Sequence, residues 1–138
     1  MIWPDPLATF VGAVVAFLFG AGWYGALSRP WTRAARIAPD DAKMSAGLLV
    51  FTFALVFLVS GGVGWFLATL GIVNSVPSAM IVTAIAWLVF VAAPMAMNHR
   101  YQGNPWSLTA IDSLHWLAVL EIAALTHVIM GGAPKIGV

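Results

Sequence analysis

Residues 46–70 read AGLLVFTFALVFLVSGGVGWFLATL, without one charged side chain. A helix needs roughly 20 apolar residues to cross the hydrocarbon core of a bilayer, and this stretch supplies them with room to spare. Similar runs lie on either side, at 7–27 upstream and at 78–97 and 108–130 downstream. Composition agrees: 62% of the chain is hydrophobic and 8% charged, against about 25% charged in an ordinary soluble domain. The expectation is an all-α integral membrane protein, a bundle of four transmembrane helices with short loops. Residues 1–138 then form a single transmembrane domain.

Several function classes drop out early. Cysteine is absent, which removes disulfides, thiol catalysis and Cys-based metal or haem attachment. A net charge of +1 leaves no footprint for nucleic acid. The stretch Met1-Ile2-Trp3-Pro4-Asp5-Pro6 lacks the positive residues of a signal peptide, so the first apolar run is read as a permanent span. Phosphate loops, dinucleotide fingerprints and hydrolase motifs are missing. No His/Cys set has the spacing of metal ligands, and neither a metal nor a cofactor is expected.

The polar residues collect between the spans. The segment 28–45 holds Arg29, Arg33, Arg36, Asp40, Asp41 and Lys43. Ala38-Pro39-Asp40-Asp41 reads as a helix start, with proline at the first helical position and acids complementing the dipole, so the second helix is expected to begin near Pro39 and enter the membrane near Ala46. Trp31 with Arg33 and Arg36 suits a short interfacial turn. The connection 71–77 is short and rich in turn formers, which makes the second and third helices antiparallel neighbours. Pro94, near the end of the third span, frees the carbonyl of Phe90 and should kink the helix. Cytoplasmic loops favour Lys and Arg. Arg29, Arg33, Arg36, Lys43 and Arg100 lie on one side and only Lys135 on the other. Both termini are therefore placed outside and both polar loops in the cytoplasm.

Small residues recur at helical spacing: Gly12, Ala16 and Gly20 in the first span, Ser60, Gly64 and Ala68 in the second. Such faces let another backbone approach closely and are candidate interfaces. The fourth span carries Asp112, His115, Glu121 and His127. At about 100° per residue, Asp112, His115, Thr126 and His127 share a face and Glu121 falls opposite, among Leu114, Leu117 and Leu125. Asp112 and His115 are one turn apart, within reach of a direct hydrogen bond. Trp23, Tyr24, Asn98 and His99 end at the same depth. Trp23, Tyr24, Asn98, Asp112 and His115 thus form a candidate ligand site near the cytoplasmic face, with polar glue between helices as the competing reading. Glu121 is assigned to an oligomer or partner interface, the alternatives being a silent protonated carboxyl or a proton carrier. His127 is read as a headgroup-level residue. Trp3, Trp23, Trp31 and Trp106 are read as interface anchors, and Trp65, Trp87 and Trp116 as packing residues.

The stretch Phe19-Gly20-Ala21-Gly22-Trp23-Tyr24-Gly25, with Leu27 and Trp31 following, resembles the small bacterial four-span proteins classed as domain of unknown function 1761. The resemblance continues at Ala38-Pro39-Asp40-Asp41, at Asn98, at Gly103-Asn104-Pro105, and at Ile111-Asp112 with His115 nearby. It implies four spans and an inner-membrane location, and no activity. The leading expectation is a non-enzymatic membrane protein that associates with itself or serves as accessory subunit of a larger membrane complex, with the lipid bilayer as its other partner. The alternative is a binder or carrier of a small hydrophobic or weakly acidic molecule at the Asp112–His115 cluster. An enzyme acting on lipid comes third, for want of a catalytic motif.

Overall fold

The computed structural model describes residues 4–38 and 44–131 of the 138-residue chain. Among the described residues it is all-helical. Four helices are long and apolar enough to cross a membrane: α1 (Pro6–Ala26), α3 (Ala46–Thr69), α4 (Val76–Tyr101) and α5 (Trp106–Met130). A short fifth, α2 (Ser28–Ala35), follows α1.

Local chemistry sets the boundaries. Asp5 caps α1: its Oδ1 accepts from Leu7 N and Ala8 N at 2.9 Å each, with Pro6 at the first helical position. α2 stops at Arg36, whose left-handed backbone (φ 58°) lets Ile37 N reach Thr32 O at 3.0 Å. α3 does not start near Pro39. Ser45 is extended, and its Oγ accepts from Leu48 N at 3.2 Å, so the helix begins at Ala46. Pro39, Asp40, Asp41 and Lys43 lie outside the described residues, as do Trp3 and Lys135. Gly71 at φ +70° closes α3, with Ile72 N donating to Leu67 O at 2.9 Å.

The kink expected at Pro94 takes a definite form. Residues Leu88–Ala92 make a π turn, in which Ala93 N donates to Leu88 O. A wider turn just before a proline accommodates the pyrrolidine ring and the missing N–H without ending the helix. Gly103, at φ +69°, then turns the chain into α5.

α5 is the hub: α1, α2, α3 and α4 all pack on it, and α1 also packs on α3. The core is built of small and polar residues. Ala8, Ala13, Ala123 and Ala124 are fully covered, whereas Leu18 (64%), Leu58 (69%) and Phe90 (76%) are exposed. A water-soluble fold would reverse that order. In lipid, close backbone approach and hydrogen bonds hold helices together, and greasy side chains face outward.

The expected pairing of α3 with α4 holds only at their hairpin end. There Val63, Leu67 and Ala79 converge with Ala123 and Ala124 of α5 in one buried cluster. Farther along they part, and an apolar cleft of about 350 Å³ opens between them, lined by Val59, Gly62, Val63, Phe66, Thr83, Ala86, Phe90 and Leu120. Short loops favour neighbouring helices; beyond the hairpin end α4 packs chiefly on α5, and α3 on α1 and α5. Trp65, read from sequence as a packing residue, is 52% exposed.

Candidate functional site around Asp112

Three elements meet at Asp112. The end of α1 brings Trp23 and Tyr24, α2 brings Trp31, and α5 brings Asp112 and His115. Tyr24 Oη donates to Asp112 Oδ1 at 2.9 Å, and Trp31 Nε1 donates to the same oxygen at 3.0 Å. Trp23 Nε1 donates to the carbonyl of Ile111 at 3.2 Å. The Tyr24 and Trp31 rings meet edge to face, with centroids 5.4 Å apart. One carboxylate on a spanning helix therefore fastens both α1 and the surface helix. Hydrogen bonds to a charged group are the stronger class.

His115 lies on the next turn, buried among aromatic rings: Tyr24 at 4.8 Å, Trp116 at 5.6 Å and Phe19 at 6.3 Å. Gly20 makes its room, since a Cβ there would stand 2.8 Å from Nε2. The expected Asp112–His115 hydrogen bond does not form. Asp112 is engaged by Tyr24 and Trp31, and His115 Nδ1 is buried without a partner.

Asn98 does not join the cluster. It is exposed on α4, while the next residue, His99, turns to α5, with Nδ1 at 3.0 Å from Thr109 Oγ1. Arg100 Nη2 donates to that same hydroxyl at 3.1 Å, and its guanidinium lies 4.0 Å from the Trp106 ring centre. Trp31 takes the place that Asn98 was given. The sequence held a signal for it: Arg29 and Arg33 fall on one face of α2, and Trp31, Ala34 and Ala35 on the other. Ala34 is buried and both arginines are exposed, so Trp31 is carried inward. Arg36 Nη2 also donates to Gly103 O at 2.9 Å, tying α2 to the other loop at this end of the bundle.

The remaining polar residues of α5 sit elsewhere. His127 is buried inside the bundle: it is 5% exposed, and its Nε2 lies 3.0 Å from Ser60 O. A carbonyl only accepts, so Nε2 carries the proton. Gly64 provides the space, because any Cβ there would run into the imidazole. Ser60 Oγ donates to Thr9 O at 3.0 Å. The small-residue faces are thus used inside the chain. Gly12 faces Ser60 and Thr126, Gly20 faces His115, Gly64 faces His127, and Ala16 and Ala68 are buried. Glu121, assigned from sequence to a contact with another subunit, is half-buried opposite Thr83 of α4, with Oε2 covered and unpartnered. Both faces of α5 point inward because α4 packs on the side away from α1.

A bundle of four helices long and apolar enough to cross a membrane, its core tied by glycine-seated histidines and one shared carboxylate, defines the class. The chain belongs to the family described as Protein of unknown function (DUF1761), which it matches over residues 7–128. No curated protein and no solved structure matches it.

Proposed function

We propose that this chain is a non-enzymatic component of a membrane assembly, either a homo-oligomer or an accessory subunit of a larger complex. It docks through the platform made by α2 and the loop 102–105. The observation that carries this reading is the double hydrogen bond of Asp112 Oδ1 to Tyr24 and Trp31. A carboxylate at the centre of a span costs about 2.5–3.5 kcal/mol on insertion scales; Asp112, nearer the helix end, costs less, and its bond to Trp31 fixes an eight-residue surface helix. With α2 so held, Arg29 and Arg33 project from the bundle. The platform belongs to the cytoplasmic side of a bacterial inner membrane, with both termini outside. Support for that comes from five of the six Lys and Arg residues lying in the loops at one end.

Native mass spectrometry from lipid tests the assembly. The wild type should leave the membrane as one homogeneous oligomer or with a foreign subunit, and Trp31→Phe should weaken that association. A wild-type chain released only as a monomer refutes the reading.

One observation favours a second reading, a small-molecule binder at the same end. His115 Nδ1 is a buried polar atom without a partner, and such atoms usually find one. A weakly acidic ligand would supply the missing donor, and the aromatic walls would take its apolar part. In the same spectra this reading requires a retained small molecule that His115→Phe abolishes.

A further inference from the structure

We infer that Arg36 and Arg100 form a binding site for one phosphate group, supplied by the headgroup of an anionic phospholipid, beside the turn 102–105. The inference does not rest on the docking role given to α2, and Arg29 and Arg33 take no part in it.

Both guanidinium groups are held around the same turn. Arg36 Nη2 donates to Gly103 O at 2.9 Å, and the N–H of Gly103 donates to Arg100 O at 3.0 Å. The Arg100 side chain leaves the carbonyls that end its own helix. Its Nη2 donates at 3.1 Å to the buried hydroxyl of Thr109 on α5, and its Cζ lies 4.0 Å from the centre of the Trp106 ring. An arginine that served only the negative end of α4 would stay beside those carbonyls. Ordering so long a side chain costs rotamer freedom. Arg29 and Arg33 are spared that cost, since neither side chain makes a hydrogen bond among the described residues.

The ordered pair has donors to spare. Arginine carries five N–H donors and no acceptor, and each of the two engages a single nitrogen. Arg100 Nε is covered and unpartnered, while Nη1 is neither bonded nor covered and is left for a ligand. No carboxylate among the described residues pairs with either arginine. The first turn of α5 has no acid, and Asp112 gives Oδ1 to Tyr24 and Trp31.

Depth selects the anion. Arg100 stands between Tyr101, 87% exposed, and Trp106, 65% exposed, at the adjoining ends of two helices long enough to span. Amphipathic rings exposed at span ends belong to the headgroup layer. The anions resident there are lipid phosphates, and basic pockets between helices at that level take anionic headgroups. A planar guanidinium meets two phosphate oxygens at once, so two such groups around one turn suit a single phosphodiester. A free phosphate ion offers the same chemistry, and the test separates the two sources.

Wild type and variants are reconstituted in nanodiscs holding equal parts of phosphatidylglycerol and phosphatidylcholine, transferred to detergent and sprayed under native conditions. The wild type should retain one phosphatidylglycerol per chain, in excess over phosphatidylcholine. Arg36→Gln and Arg100→Gln should each retain about fivefold less, equivalent to roughly 1 kcal/mol per guanidinium, with helical circular dichroism unchanged. Arg100→Lys keeps the charge but loses the fork, and its retention should fall between. Equal retention of the two lipids by the wild type overturns the inference. So does undiminished retention in Arg36→Gln or Arg100→Gln, or in Arg100→Lys, which would reduce the site to a field of charge. Displacement of the lipid by millimolar inorganic phosphate would give the site to the free ion, and a copurified acidic subunit lost with Arg100→Gln would give it to a protein; either result refutes the lipid assignment.

Discussion

Gly62 and Gly64 stand two residues apart on α3 and face opposite conditions. Gly64 is buried under the imidazole of His127, on the side where α3, α1 and α5 close tightly. Gly62 is exposed and borders the cleft toward α4. The tight side is held by polar ties that cross between helices: Ser60 to Thr9, His127 to Ser60. On the open side no such tie joins α3 to α4 among the described residues. A small residue in a spanning helix therefore has no fixed meaning. Its effect depends on whether a neighbour occupies the space it leaves.

That contrast can be broken by filling the space. Gly64→Ala places a methyl group inside the His127 ring, and overpacking of this kind costs about 1–3 kcal/mol. The thermal midpoint in detergent should fall clearly. Combining it with His127→Ala sharpens the point, because the double variant should be less destabilised than the sum of the two single variants; additivity would mean the two residues do not compete for one volume. Gly20→Ala should cost less, about 0.5–1.5 kcal/mol, the range for pushing a side chain off its rotamer. Its Cβ meets His115 Nε2, and that ring has no hydrogen bond on Nδ1 to surrender. Gly62→Ala should change stability by under about 0.5 kcal/mol. Equal losses at Gly62 and Gly64 would remove the distinction between the two faces of α3.

The spans and their order were legible in the sequence because length and the absence of charge are one-dimensional properties. Helical spacing also aligned Asp112, His115 and His127 on one face, and Trp23, Tyr24, Asp112 and His115 do come together. What the wheel could not supply was the identity of the neighbour. Glu121, opposite Asp112, was referred to a partner because one face was assumed to be the inner one; a hub helix has two. His127 was judged by depth alone, whereas its burial depends on Gly64, a residue of another helix. Asn98 and His99 were equal by depth, and only the azimuth of α4, altered by the π turn, turns His99 inward and leaves Asn98 outside. Trp31 was legible in principle from the two faces of α2, but eight residues rich in arginine also suit an untethered turn at the headgroups.

The account rests most heavily on Asp112 as the fastener of α2. Hydrogen exchange of the chain in nanodiscs, wild type against Asp112→Ala, tests this directly. The amides of 32–35 should be protected in the wild type and should exchange about threefold faster in the variant, matching the loss of roughly 0.6 kcal/mol for the one hydrogen bond that Asp112 makes to α2, while α3 keeps its protection. Unchanged exchange in α2, or loss spread evenly over all helices, would contradict it.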